Sequence, residues 1–177
     1  MTGRWASPCL CHQTPAAFAP SSGLPARSGR FISGPMTGWI ETHRNVVTAW
    51  DCDHQGHMNT VKYYEKFDVA GWHMIQRSGA TRARLDADGA GCVDVRMELD
   101  FVGELKVNDP LLIESGIEKV GKTSFTFRHR MTNVNTGELV ARGRCTTVYF
   151  DLNKREKTPL PDDIRAGFEA IMIGDED

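Results

Sequence analysis

The stretch Asp51-Cys52-Asp53-His54-Gln55-Gly56-His57-Met58-Asn59 gathers two carboxylates, two imidazoles and a thiol immediately before an amphipathic run. Opening an activated acyl bond needs a group that attacks the carbonyl or activates water, and a donor for the oxyanion that forms. Asp53 is suited to the first task. The free amides at a helix start, here around Met58, Asn59 and Thr60, are suited to the second, with the positive end of the helix dipole behind them. Both features lie within one loop, so both can face one carbonyl. Residue types alone leave plainer readings open. An Asp one turn before a helix is commonly a solvated loop residue or a capping aid. Asp51 is the rival carboxylate. His57 is either a general base near neutral pH or a residue that orders the loop through its ring hydrogen bonds, and His54 reads as solvated. Asn59 fits an N-cap. Glu65, further along, is an acid/base candidate if it is not simply exposed on the polar face.

These residues need a strand before them and a helix after them. Glu41–Ala49, rich in Thr and Val, reads as a short strand, and residues 50–59 as a polar loop. Thr60–Ser78 reads as the one long helix: Val61, Tyr64, Phe67, Gly71 and Ile75, joined by Trp72, recur at spacings of three and four. Asn59 is placed to cap its first turn, and Gly79 to stop it. Residues 86–91 read as a Gly/Ala/Asp-rich linker. Val93, Val95, Met97, Leu99 and Phe101 then alternate with charged residues, the pattern of a half-buried strand. Three more strands are expected at 111–120, 123–133 and 139–151, separated by turn signals at Asp109-Pro110, Gly121-Lys122 and Asn135-Thr136-Gly137. Pro161-Asp162-Asp163 opens a short C-terminal helix. The expectation is an α+β domain in which an antiparallel sheet wraps one helix.

Composition limits the alternatives. The chain has 177 residues, 40% hydrophobic and 25% charged, with a formal net charge of −2. That is enough chain for one buried core. The charge balance gives no reason to expect nucleic acid or an anionic membrane as partner. No apolar run approaches the length of a membrane span. The cysteines at 9, 11, 52, 92 and 145 show neither disulfide-framework nor C-x-x-C spacing, so no metal is expected and free thiols fit a cytoplasmic location. Cys9, Cys11 and His12 are a weak ligand set. Residues 1–35 differ from the rest, with five of the eight prolines and no acidic residue, and read as a disordered extension to a domain over 36–177. A start at Met36 is the favoured explanation; a targeting segment or an expression leader are the others.

From Val46 through Asp68 the sequence resembles the 4-hydroxybenzoyl-CoA thioesterase family of hotdog proteins. Asp53, the Gly56-His57-Met58-Asn59 signature and Tyr63 match its pattern without a gap. Asn108-Asp109-Pro110-Leu111, Gly121-Lys122-Thr123-Ser124 and Pro159-Leu160-Pro161 extend the likeness to roughly Ile40–Phe168. Thr60 departs from it, since many members carry a second Asn there. The resemblance implies a hotdog fold of about five antiparallel strands around a central helix. It implies hydrolysis of an acyl-CoA thioester in a homodimer, or in a tetramer of two such dimers, with coenzyme A as part of the substrate and no separate cofactor. Asp53 would be nucleophile or general base, the Thr60 backbone amide would polarise the carbonyl, and His57 and Asn59 would complete the catalytic set. Tyr63, Lys122 and Ser124 would bind substrate, the last two at the nucleotide phosphates. Two alternatives remain: a hotdog hydratase or dehydratase, whose Asp-x-Asn-x-x-His spacing Asp53–Asn59 does not match, and a non-catalytic acyl-CoA-binding module.

Overall fold

The computed structural model describes residues 38–174. The proline-rich stretch before Met36, with Cys9, Cys11 and His12, lies outside them. In chain order come strand β1 (Ile40–Val46), a 3-10 turn (Ala49–Asp51), helices α1 (Thr60–Arg77) and α2 (Arg82–Asp88), and strands β2 (Ala90–Phe101), β3 (Pro110–Val120), β4 (Ser124–Asn133) and β5 (Leu139–Asp151). A two-residue strand β6 (Glu156–Lys157) and helix α3 (Asp162–Glu169) follow. The strands form one antiparallel sheet in the order β1-β3-β4-β5-β2, with β6 paired to the last two residues of β5, Phe150 and Asp151. This is the α+β hotdog arrangement: the sheet curls around α1, whose Phe67 and Gly71 meet Gly143 and Phe127 on the sheet's inner face.

Several local expectations are met for the reasons given. Asn59 caps α1, its side-chain oxygen accepting from the Val61 N–H at 2.9 Å. Gly79 stands just past the Ser78 C-cap. Three expectations need correction. Residues 86–91 are not a linker: α2 occupies Arg82–Asp88, capped by the Thr81 hydroxyl, and β2 begins at Ala90. The apolar stripe of α1 is also shifted. Its buried residues are Tyr63, Lys66, Phe67, Ala70, Gly71, Met74 and Ile75, while Val61, Tyr64 and Trp72 are exposed. The third concerns β2, where the alternation Val93–Phe101 is not a half-buried pattern. A bulge between Asp94 and Arg96 reverses the faces. Before it Cys92 and Asp94 point at α1; after it Met97 and Leu99 do, leaving Val95 60% exposed.

The interior has two apolar clusters. One centres on Met74, Phe125, Phe127, Ile164 and Phe168 and joins α3 to the sheet. The other, around Met58, Tyr63, Phe67, Leu105, Leu111 and Met131, sits beneath the Asp53 loop. The loop therefore rests on packed side chains.

Candidate active site

The chain from Asp51 to Asn59 folds into a small closed ribbon. Cys52 and Met58 pair as an isolated antiparallel bridge, the Asp53 N–H donates to the His57 carbonyl at 2.9 Å, and the Asn59 N–H donates to the Asp51 carbonyl at 2.8 Å. Gly56 makes the reversal possible, at a φ of +84° that other residues rarely adopt. A second set of bonds docks the ribbon on the segment preceding β3. Met58 N–H donates to the Leu105 carbonyl at 2.7 Å, and His57 pairs with Lys106. The His57 ring reaches Glu104, Nε2 to Oε2 at 3.1 Å.

At the tip of this ribbon, Asp53 Oδ1 accepts from the Gln55 N–H at 2.8 Å. Its Oδ2 has no hydrogen-bond partner among the described residues. The amides at the helix start divide in an informative way. Met58 N–H is bound to Leu105, Asn59 N–H to Asp51, and Val61 N–H to the Asn59 cap. Thr60 N–H has no partner among the described residues. Of the three amides named from sequence, the fold leaves one available, and it sits at the positive end of an 18-residue helix.

The remaining sequence candidates are spread out. Tyr63 is buried at 3% exposure, its ring edge-on to Phe101 with centroids 5.1 Å apart. Glu65 is exposed and paired with Lys62 at 2.7 Å. Lys122 is exposed and Ser124 half-buried in the turn between β3 and β4. That turn closes from Gly121 N–H to the Ser124 carbonyl at 2.7 Å. It lies at the far end of β3 from Asp53, on the order of 30 Å along the strand at ~3.3 Å per residue. One protomer does not bring Lys122 and Ser124 to Asp53. The arginines 128, 130, 142 and 144 lie away from the loop, on a face where Arg130 pairs with Glu114, Arg144 pairs with Glu118 and Glu98, and Trp39 packs against Arg130.

Sequence reasoning missed two features. A cavity of about 110 Å³ opens between α1 and the sheet, lined by Tyr64, Phe67, Asp68, Gly71, Asp94 and Met97 among others. Thr60, Tyr64, Asp68 and Gly71 follow one another along a single face of α1 at helical spacing, so this face runs from the free amide to the cavity. The cavity carries its own carboxylates: burial, then the neighbouring Asp94, pushes the Asp68 carboxyl above its ordinary value. The other missed feature is the buried pair Lys66–Asp51. A lysine inside an amphipathic stripe gives no sequence signal of burial. No group of three or more His, Cys, Asp or Glu among the described residues is arranged to hold a metal ion. None of the described helices is long and apolar enough to cross a membrane.

Comparison with known proteins places the fold. The thioesterase-like superfamily matches the chain over residues 47–168. None of the curated proteins compared with the chain matches it. Among solved structures, the probable thioesterase YbaW from Escherichia coli superposes with a TM-score of 0.65 at 22% identity, covering 73% of this chain and 97% of that one. SAV2348 from Staphylococcus aureus, in complex with CoA, gives a TM-score of 0.69 at 16% identity, covering 75% and 84%. Slr0204, a 1,4-dihydroxy-2-naphthoyl-CoA thioesterase from Synechocystis, gives 0.66 at 18% identity, covering 74% and 96%.

Proposed function

The chain belongs to the thioesterase-like superfamily, thioester hydrolases of the hotdog fold, and on that premise we propose that it hydrolyses acyl-CoA to the free acid and coenzyme A at the loop Asp51–Asn59. The observation that carries this reading is the presence, on one short ribbon, of a carboxylate oxygen (Asp53 Oδ2) and a helix-start amide (Thr60 N–H) that both lack a partner among the described residues. The amide and the helix dipole stabilise the oxyanion that forms on the thioester carbonyl. Asp53 either adds to the carbonyl carbon, forming an anhydride that water opens, or takes a proton from the attacking water. In both routes the thiolate of coenzyme A leaves. Asn59 holds the helix start and His57 holds the loop. The face from Thr60 past Tyr64 leads the acyl group into the cavity beside Gly71.

The binding of coenzyme A calls for a second copy of the chain. β2 is an edge strand twelve residues long, bonded only to β5, with Val93, Val95 and Phe101 exposed along it. Such an edge pairs readily with another strand. Two-fold pairing of β2 with the β2 of another copy would extend the sheet and bring the partner's turn toward this loop, so that Lys122 and Ser124 could serve the neighbouring site as phosphate contacts. Two such dimers would give the tetramer. The described cysteines, Cys52, Cys92 and Cys145, are free thiols, which supports a cytoplasmic setting.

The test is turnover of a panel of acetyl-, hexanoyl-, palmitoyl-, benzoyl- and 4-hydroxybenzoyl-CoA, read as release of free thiol, with light scattering for the assembly. Cleavage of at least one by the wild type and not by Asp53→Asn is expected. A panel left intact by folded wild-type protein would sink the reading in favour of a binding module.

A further inference from the structure

The side of α1 that faces the loop carries an ion pair that the motif does not announce. Lys66 Nζ lies 3.3 Å from Asp51 Oδ1, and the two side chains are withdrawn from solvent at 9% and 13% exposure. The other carboxylate oxygen of Asp51 accepts from both the Thr48 N–H and the Thr48 hydroxyl, each at 2.8 Å. The Asp51 backbone carbonyl accepts from Asn59 at 2.8 Å. One residue thus ties together the chain entering the loop at Thr48, the chain leaving it at Asn59, and the second turn of α1 through Lys66. Asp53 lies two residues beyond this knot on one side, and Thr60 one residue beyond it on the other.

Stability does not account for the pair. Withdrawing an ammonium and a carboxylate from water costs about as much as their attraction returns, and well-packed apolar residues in their place are often as stable. The pair's specific effect is geometric: it fixes where the loop sits on the helix. The surroundings leave that geometry unopposed. Lys62 on α1 also feels the Asp51 charge, but its ammonium is paired with Glu65 at 2.7 Å. His43 on β1 stands within electrostatic range of Lys66 and His73. Burial first, then Lys66 and His73, holds His43 below its ordinary value, so its ring is neutral near pH 7 and does not compete for Asp51. The His73 ring is engaged with the Thr42 carbonyl at 2.7 Å.

We propose that Lys66 is a positioning residue for thioester hydrolysis: acting through Asp51, its ammonium holds both ends of the loop so that the Asp53 carboxylate and the Thr60 amide meet the same carbonyl. This rests on the assignment of Asp53 and Thr60 made above. A displacement of about 1 Å between such groups lowers turnover by up to ~100-fold while leaving binding of the bulk of the substrate intact. Lys66→Met is therefore expected to lower kcat by about 10- to 100-fold with KM within a few-fold of wild type. Lys66→Arg, which keeps the charge, is expected to retain most of the turnover.

The experiment measures kcat and KM for these variants on the best acyl-CoA of the panel, with circular dichroism as the folding control. Should Lys66→Met fail to fold because Asp51 is left unpaired, the double variant Asp51→Asn/Lys66→Met removes both buried charges and decides the question. A folded Lys66→Met or double variant with wild-type kcat overturns the proposal. So does a loss confined to KM, or a Lys66→Arg variant that falls as far as Lys66→Met. Asp53→Asn is assayed alongside to separate the two layers of argument. If Asp53→Asn turns over normally, the assignment of the site fails. If Asp53→Asn is inactive while Lys66→Met is not impaired, only the positioning role fails.

Discussion

Asp53 Oδ1 accepts the Gln55 N–H at 2.8 Å within the same turn that closes from the Gly56 N–H to the Asp53 carbonyl at 3.1 Å. The carboxylate is thereby oriented by its own loop, with one oxygen committed to structure and the other without a hydrogen-bond partner among the described residues. An asparagine keeps an oxygen that can take the Gln55 bond but can neither attack a thioester nor accept a proton from water. Asp53→Asn is therefore expected to lower kcat by roughly 10²–10⁴-fold with an unchanged thermal midpoint. Steady-state kinetics and a melting curve on the same preparation check both halves. Loss of activity accompanied by a large fall in the midpoint would mean that the residue acts through folding.

His57 presents a different balance. Its ring is tied to Glu104 at 3.1 Å and its backbone to Lys106, so the side chain spans from the ribbon to the segment before β3. A residue that orders a loop loses less on replacement than one that reacts. His57→Gln, which still offers an amide N–H to Glu104, is expected to cost about tenfold or less in kcat, well below the Asp53→Asn effect. A loss equal to that of Asp53→Asn would assign His57 to proton transfer.

These contrasts follow how the site could be read from sequence. The cap at Asn59 and the helix start at Thr60 depend on a few neighbouring residues, so local spacing revealed them. Lys66 could not be found that way, since only the tertiary position of Asp51 makes a lysine stable on the inner face of α1. The bulge at Val95 was hidden by an alternation that runs unbroken from Val93 to Phe101; the reversal of faces appears only in the pairing with β5. α2 was lost among Ala, Asp and Gly because it is only seven residues long and buries one apolar side chain, Leu85. Its Thr81 and Gly89 caps and its pairs of Arg82 with Asp86 and Arg84 with Asp88 are local, but its contact with α3, Arg84 to Asp163 at 2.6 Å, is not. Lys122 and Ser124 belong to a local turn that sequence could locate but could not place relative to Asp53.

Gly167 offers a stability test in which packing opposes propensity. It lies inside α3, where alanine would ordinarily add about 1 kcal/mol. A Cβ at this position would overlap the backbone carbonyl oxygen of Ser78, the residue that ends α1. A backbone atom has no rotamer to escape into, so α3 must move away from Ser78. Gly167→Ala is expected to destabilise the fold by about 1–3 kcal/mol, the range for overpacking, measured as a lower urea midpoint. An increase in the midpoint would show that α3 shifts without cost.

Burial of His129 behind a chain of hydroxyls gives the fold one specific sensitivity to acid. Thr42 Oγ1 donates to the Ile113 carbonyl at 3.2 Å, so the Ser115 hydroxyl is the donor to Thr42 Oγ1 at 2.7 Å, and Ser115 Oγ is left to accept from His129 Nδ1 at 2.7 Å. This chain of bonds places a proton on Nδ1 of an imidazole that is buried and stacked on Phe67. Burial pushes its pKa from the ordinary 6.5 down to about 3. Between those values the unfolded chain binds a proton that the native chain refuses, so stability falls as pH drops through 6.5 and this loss ends near 3. His129→Gln cannot titrate. Urea midpoints taken in steps from neutral pH down toward pH 4 are therefore expected to fall more steeply for wild type than for His129→Gln, since the carboxylates are common to both proteins. Parallel curves would show that protonation is met without unfolding, with the imidazolium accommodated inside the sheet.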